Sequence, residues 1–277
     1  MERKGYLLEY KPKIGAGELQ SFYSEAGVLE SNLIEKAFQN ADKSIIARNN
    51  EGSIVGAIRS SFDGVYSLIW DLQVRPSAYY DAYGLKSALL TNLVKNLSDN
   101  RHNFIAAIVS DKELDFYRYH NLPYGDELIV TTTNPENHIL WESPYLVRKN
   151  DKVTPLELES LFRIADWQEE ANMAEQFTYA FNTAACNFTA RNDHGALIGM
   201  VRMHFDGKIA MKWNLVVDPN YRNQGIGFKL LSNLLDFIIK DGHESYGLAV
   251  KHMVKNYQKL AMKPALGKRI ATNNPRL

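Results

Sequence analysis

The sequence predicts two tandem copies of one α/β domain of mixed α+β character, each a mixed, mostly antiparallel sheet flanked by helices. Three observations carry this. Residues 47–76 and 190–219 align without a gap at an offset of 143 and share 13 of 30 residues, among them Gly56/Gly199, Arg59/Arg202, Trp70/Trp213 and Pro76/Pro219. Each copy then runs through a hairpin pattern into strand–helix–strand, which calls for a mixed sheet covered by helices. The length of 277 residues also suits two domains of ordinary size.

The elements follow in the same order in both copies. A mostly helical first third leads into a strand at 44–48 or 187–191. The turns Asn49-Asn50-Glu51-Gly52 and Asn192-Asp193-His194-Gly195 supply hairpin residues. Second strands at 54–59 and 197–202 end at Phe-Asp-Gly, and third strands run through 72–74 and 215–217 to a proline. Leu89, Leu90, Leu93 and Leu97 in one copy, and Leu230, Leu231, Leu234, Leu235 and Ile238 in the other, have helical spacing. Fourth strands at 104–109 and 246–250 precede short helices that carry Tyr117 and Tyr257. The segment 133–144, with two prolines, is the expected junction between a first domain at 1–135 and a second at 145–277.

Composition narrows the function. Lys plus Arg and Asp plus Glu are 32 each, so the chain lacks the basic excess of a phosphate-neutralising nucleic-acid binder. No apolar run approaches the length of a membrane span, and the start lacks a secretory pattern. With one cysteine, Cys186, no intrachain disulfide can form, so a cytoplasmic location is expected. Cys186 lacks a Cys–His setting and is expected to be a small buried residue. The seven histidines lack metal-ligand spacing, so no metal is expected.

The segment Leu215–Leu231, LVVDPNYRNQGIGFKLL, carries the chemistry. A strand ends, a short turn bears Arg222, Gly225 and Gly227, and a helix begins at once. The first turn of a helix has unpartnered N–H groups and partial positive charge, and glycine lets phosphate oxygens approach the main chain. The Gly-Lys-Ser/Thr of a P-loop is missing, and the loop follows a hairpin-built sheet rather than a dinucleotide fold.

Arg222-Asn223-Gln224-Gly225-Ile226-Gly227 resembles the acetyl-CoA-binding motif of the GNAT superfamily of N-acetyltransferases, Arg/Gln-x-x-Gly-x-Gly/Ala after a strand. The segment 257–264, YQKLAMKP, is similar to the family's later Tyr-x-Lys-x-Gly-Phe motif, with Ala261 and Met262 in place of Gly and Phe. The resemblance spans about 150–270 and implies an acetyl-CoA-dependent N-acetyltransferase. Under it, the main chain of Leu215, Val216 and Val217 bonds the pantetheine arm. The amides of Asn223, Gln224, Gly225, Ile226, Gly227 and Phe228 cradle the pyrophosphate beside Arg222, and Tyr257 is the acid for the leaving thiolate. The acceptor is an amine of a small molecule or peptide, and homodimerisation stays open. No carboxylate stands on the strand before the loop, so the base is unassigned. His204 is expected at a strand surface, and Asp206 is read as turn chemistry. A non-catalytic acyl-CoA-binding regulator or scaffold is the alternative.

The first copy keeps Leu72-x-Val74-x-Pro76 but then reads SAYYDAYGLKSALL. Aligning Gly84 with Gly225 inserts two residues and sets Lys86 at the position of Gly227, with Tyr79 or Tyr80 near that of Arg222. This copy is expected to be a degenerate domain, with binding of a different acyl donor as the rival reading.

Overall fold

The computed structural model describes residues 5–15, 17–25, 33–75, 82–99, 104–125, 128–133, 138–250, 254–260 and 262–274. Its first half runs β1 (Tyr6–Tyr10), α1 (Glu18–Glu25), α2 (Ile34–Gln39), β2 (Lys43–Asn49), β3 (Ile54–Phe62), β4 (Tyr66–Val74), α3 (Ala82–Asp99), β5 (Phe104–Ser110), α4 (Leu114–Tyr119) and β6 (Leu128–Thr133). The second runs β7 (Leu146–Lys149), α5 (Pro155–Ile164), α6 (Gln168–Asn172), α7 (Ala174–Asn182), β8 (Cys186–Arg191), β9 (Leu197–Phe205), β10 (Ile209–Val217), α8 (Ile226–Lys240), β11 (Glu244–Val250), α9 (Val254–Gln258), β12 (Met262–Pro264) and β13 (Lys268–Thr272). Two mixed sheets flanked by helices result, as the repeat predicts. The third strands are longer than expected: β4 and β10 each have nine residues.

The strands form two sheets of order β1-β2-β3-β4-β5-β13 and β12-β6-β11-β10-β9-β8-β7. Hydrogen bonding therefore cuts across the expected division of the chain. β6, from 1–135, lies antiparallel beside β11, and β13, from 145–277, lies antiparallel beside β5. Each half contributes a strand to the other's sheet, β6 between β11 and β12 and β13 at the edge beside β5.

The repeated glycines explain how the helices lie so close. A Cβ at Gly56 would stand 2.8 Å from Leu89 Cδ1, and one at Gly199 would stand 3.1 Å from Leu230 Cδ1. The glycine and its leucine are matched in both copies, so each pair sets the same helix-on-sheet approach. Helix α8 buries Ile226, Leu230, Leu231, Leu234, Leu235 and Ile238 on one face.

A further core joins the halves. Val65, Tyr66, Leu68 and Trp70 pack with Phe162, Phe177, Met211 and Trp213 in one buried cluster. The Tyr66 ring lies flat on Trp213, with centroids 4.4 Å apart and planes 11° apart. Among the described residues no helix is long and apolar enough to cross a membrane.

Candidate functional site

Strand β10 is interrupted by a bulge. Its register against β9 shifts between Trp213 and Val216, and Asn214 takes φ 52°, a left-handed conformation that Asn tolerates better than most residues. On its other side β10 pairs in parallel with β11 only from Ile209↔Glu244 to Lys212↔Gly247. Beyond that rung the two strands part, and Leu215, Val216 and Val217 lie where they separate. Leu215 and Val217 pack toward α8, whereas Val216 joins the core between the halves.

The loop after β10 is built by short-range bonds. Asp218 Oδ1 accepts the Asn220 N–H at 2.9 Å, and Pro219 opens a single 3-10 turn. The exposed Arg222 donates through Nε to the Val217 carbonyl at 3.2 Å. Asn223 has φ 63°, and Gly225 has φ 78° at the N-cap of α8. Among the described residues, no hydrogen bond engages the main-chain N–H groups from Asn223 to Phe228. A run of free amides at the positive end of a 15-residue helix is a setting for an anion. Space is open there: a Cβ on Gly227 would meet only Val217 Cγ2, at 3.6 Å.

Tyr257 lies on α9, half-buried, and packs on the same apolar cluster as α8. Burial raises its pKa above the ordinary phenol value, so the hydroxyl is protonated at neutral pH and can donate. Other residues able to carry acid–base or nucleophilic chemistry are Cys186, Asp206, Glu244 and His204. Cys186 is buried, and burial pushes its thiol up to about 11. Asp206 caps its turn, accepting from Lys208 N and Ile209 N at 2.8 and 2.7 Å. Glu244 is exposed and accepts the Tyr246 hydroxyl. His204 is not the surface residue expected. It is half-buried, and burial lowers its pKa, because β9 is covered where the two halves meet.

Two features escaped the sequence reading. Lys212, at the last rung before the strands part, is buried with its Nζ donating to Ser245 Oγ at 3.0 Å. Burial alone pushes its pKa down to about 7. Gly247 makes the room, since a Cβ there would stand 2.8 Å from Lys212 Cε. The one available signal was a lysine inside the apolar strand IAMKWNLVV. The second feature is that Ser143 and Tyr145, from the junction between the halves, both bond Gln224.

In the first half, β4 and β5 part in the same way, after Ile69↔Ala107, and Asp71 takes φ 55° at the matching bulge. A cavity of about 170 Å³ fills this wedge, lined by Tyr23, Ile69, Trp70, Glu113 and Tyr117 among others. Lys86, aligned with Gly227, donates to Glu113 Oε1 at 2.5 Å and lies 5.1 Å from the Phe116 ring centroid. An ion pair thus ties α3 to the turn before α4, where the second half is open. Tyr79 and Tyr80 lie outside the described residues.

These features define a class: a bulged central strand that parts from its parallel neighbour and feeds a glycine turn into a helix. The sequence model of the Acetyltransferase (GNAT) family matches residues 151–262. The second half is a GNAT-family domain, and the chain has the architecture of a tandem GNAT protein. Solved structures agree. A tandem GNAT protein from the clavulanic acid biosynthesis pathway aligns with 13% identity over 96% of this chain and 97% of its own, at TM-score 0.59. A GCN5-related N-acetyltransferase from Sphaerobacter thermophilus aligns with 12% identity over 96% and 94%, at TM-score 0.55. A glucosamine N-acetyltransferase region of a fungal multi-domain GH3 β-N-acetylglucosaminidase has 14% identity and TM-score 0.59; the match covers 98% of this chain but 38% of that one. No curated protein matches the chain.

Proposed function

We propose that the second half is an acetyl-CoA-dependent N-acetyltransferase, one acetyl-CoA per chain, acting on an amine of a small molecule or peptide in the cytoplasm. The observation that carries this reading is the unbonded amide run from Asn223 to Phe228 at the head of α8, beside the point where β10 and β11 part. Those amides and Arg222 meet the pyrophosphate, and the freed edge of Leu215–Val217 meets the pantetheine arm. Tyr257, kept protonated by burial, supplies the proton to the departing thiolate. The first half serves as a structural partner, its wedge entrance tied by Lys86 and Glu113.

A non-catalytic acyl-CoA-binding role is the second reading. It is favoured by β10 itself, which offers no carboxylate near the bulge and whose Asn214 Oδ1 is taken by Arg202 Nε at 2.8 Å. Thiol release from acetyl-CoA with a panel of amines, beside calorimetry of acetyl-CoA alone, separates the two. Turnover with some amine is expected, falling about 10²-fold in Tyr257→Phe with affinity unchanged. Binding without thiol release selects the second reading. Absence of binding overturns both.

A further inference from the structure

The junction between the halves does more than connect them. Residues 138–145 run along the flank of α8 and end on the loop that precedes it. Trp141 stacks on Phe228, with centroids 4.5 Å apart, and its main-chain N–H donates to Ser232 Oγ at 3.2 Å. Lys229 Nζ donates to the Ser143 carbonyl at 3.3 Å and to Glu142 Oε2 at 3.2 Å. The Glu142 carbonyl sits where Gly225 has no side chain, since a Cβ there would be 2.8 Å away.

Two hydroxyl groups complete the contact, and both converge on one residue. Ser143 Oγ donates to the Gln224 carbonyl at 3.2 Å, and Tyr145 Oη donates to Gln224 Oε1 at 2.9 Å. The Tyr145 ring also meets Tyr221 edge-on at 5.5 Å, so the segment grips the turn on both sides of Arg222. The consequence follows from peptide geometry. A trans peptide is planar, and its C=O and N–H point in opposite directions. Fixing the Gln224 carbonyl toward Ser143 therefore turns the Gly225 N–H away from the junction, toward the open side of the loop.

We infer that Ser143 and Tyr145 are positioning residues for the phosphate loop, holding Gln224 so that the amides behind it converge on a pyrophosphate. This rests on the acetyl-CoA reading above and names what orients the site of that reading. The loop is glycine-containing and exposed, so without such a hold its amides would sample other directions and the ligand would have to order them.

The test uses the full chain carrying Ser143→Ala and Tyr145→Phe together. Conformational exchange of the 223–228 backbone, read by 15N relaxation dispersion without ligand, is expected to rise, while that of β8 and β9 stays as in the parent. KM for acetyl-CoA is expected to rise about tenfold with kcat at saturation unchanged, because the hold acts on binding and not on Tyr257. Unchanged exchange and unchanged KM would make the junction a passive connector and overturn the inference. A lower KM would also overturn it, by making the segment an obstruction. Because exchange needs no ligand, it separates failure of this hold from failure of acetyl-CoA to bind. A parent that binds no acetyl-CoA would remove the role assigned to the hold whatever the exchange shows.

Discussion

Arg59 and Arg202 stand at matching positions of the two halves, and each sends its guanidinium to the turn aspartate of the other half. Arg59 Nη1 meets Asp206 Oδ2 at 2.8 Å, and Arg202 Nη1 meets Asp63 Oδ2 at 2.8 Å. All four side chains are almost wholly buried. Each aspartate uses its other oxygen to cap its own Phe-Asp-Gly turn. Fixed turns thus present the carboxylates across the joint, and residues that look like local turn chemistry also hold the halves together.

The two bridges differ in their remaining partners. Arg59 Nε also bonds Asp71 Oδ2 at 2.6 Å, whereas Arg202 Nε bonds only the neutral Asn214. Asp63→Asn therefore leaves Arg202 without an anion and should cost about 3–5 kcal/mol. Asp206→Asn leaves Arg59 with Asp71 and should cost less, about 2 kcal/mol. Asparagine keeps the turn-capping oxygen in both. Urea unfolding of the two variants checks the order; equal losses would show that Asp71 does not share the charge of Arg59.

Asp71 and Lys208 form a second pair that the repeat makes testable. Lys208 Nζ reaches Asp71 Oδ1 at 2.9 Å across the joint. At the offset of 143 their counterparts are Asn214 and Val65, so one half has an added charge pair where the other has none. Burial raises the Asp71 pKa, and Arg59 and Lys208 more than offset this, leaving it below the usual value. A carboxylate with a lowered folded pKa adds stability above its unfolded pKa of about 3.9, lost as pH falls through the folded value. Asp71→Asn and Lys208→Val should each cost about 3 kcal/mol at pH 7, and the double variant should return to within about 1 kcal/mol of the parent. Additive losses in denaturant titrations would mean that the pair is not coupled.

Gly225 and Gly227 look alike in the motif and differ in the fold. Gly225 needs φ 78°, and a side chain there would strike the Glu142 carbonyl, so Gly225→Val should damage folding and binding together. Gly227 is helical, its only near neighbour Val217 Cγ2 at 3.6 Å, and valine is no worse a helix former than glycine. Gly227→Val should keep the parent's stability and weaken acetyl-CoA binding about tenfold. Calorimetry with a thermal melt on each variant checks this, and unchanged affinity in a folded Gly227→Val would remove the amide run as the binding site.

Periodicity and repetition made the sheets, the helices and the loop legible in the sequence, because a gapless offset carries each strand assignment from one copy to the other. The strand exchange was not legible. β6 and β13 have no partner within their own copy's repeated segment, and strand pairing at long range leaves no local trace. Nor was the role of 138–145: the segment 133–144, with two prolines and turn-forming Asn and Ser, read as a connector until Ser143 and Tyr145 met Gln224 in space. Turn chemistry was read correctly for Asp206 yet concealed its second oxygen. The chemistry of Lys212 depended on tertiary burial, which the strand pattern alone does not fix.

Lys212 gives the last prediction, on pH. Its burial lowers its pKa in the folded chain to about 7, and no carboxylate among the described residues offsets the loss of hydration. In the unfolded chain the group titrates at its ordinary value of about 10.4. Between these two pKa values the unfolded chain binds more protons, so stability rises with pH across that window. Below about pH 7 the ammonium is buried and the folded state carries the full penalty. Lys212→Met has similar length and no charge, and Ser245 keeps a further interaction of its own when the amine is gone. The variant should therefore be more stable than the parent by about 1–4 kcal/mol at pH 6, with the gain shrinking toward zero by about pH 10. Urea unfolding at pH 6 and pH 9 reads this difference directly. An equal gain at both values would show that Lys212 is neutral throughout or reaches water, and a loss at pH 6 would show that its ammonium has an anionic partner.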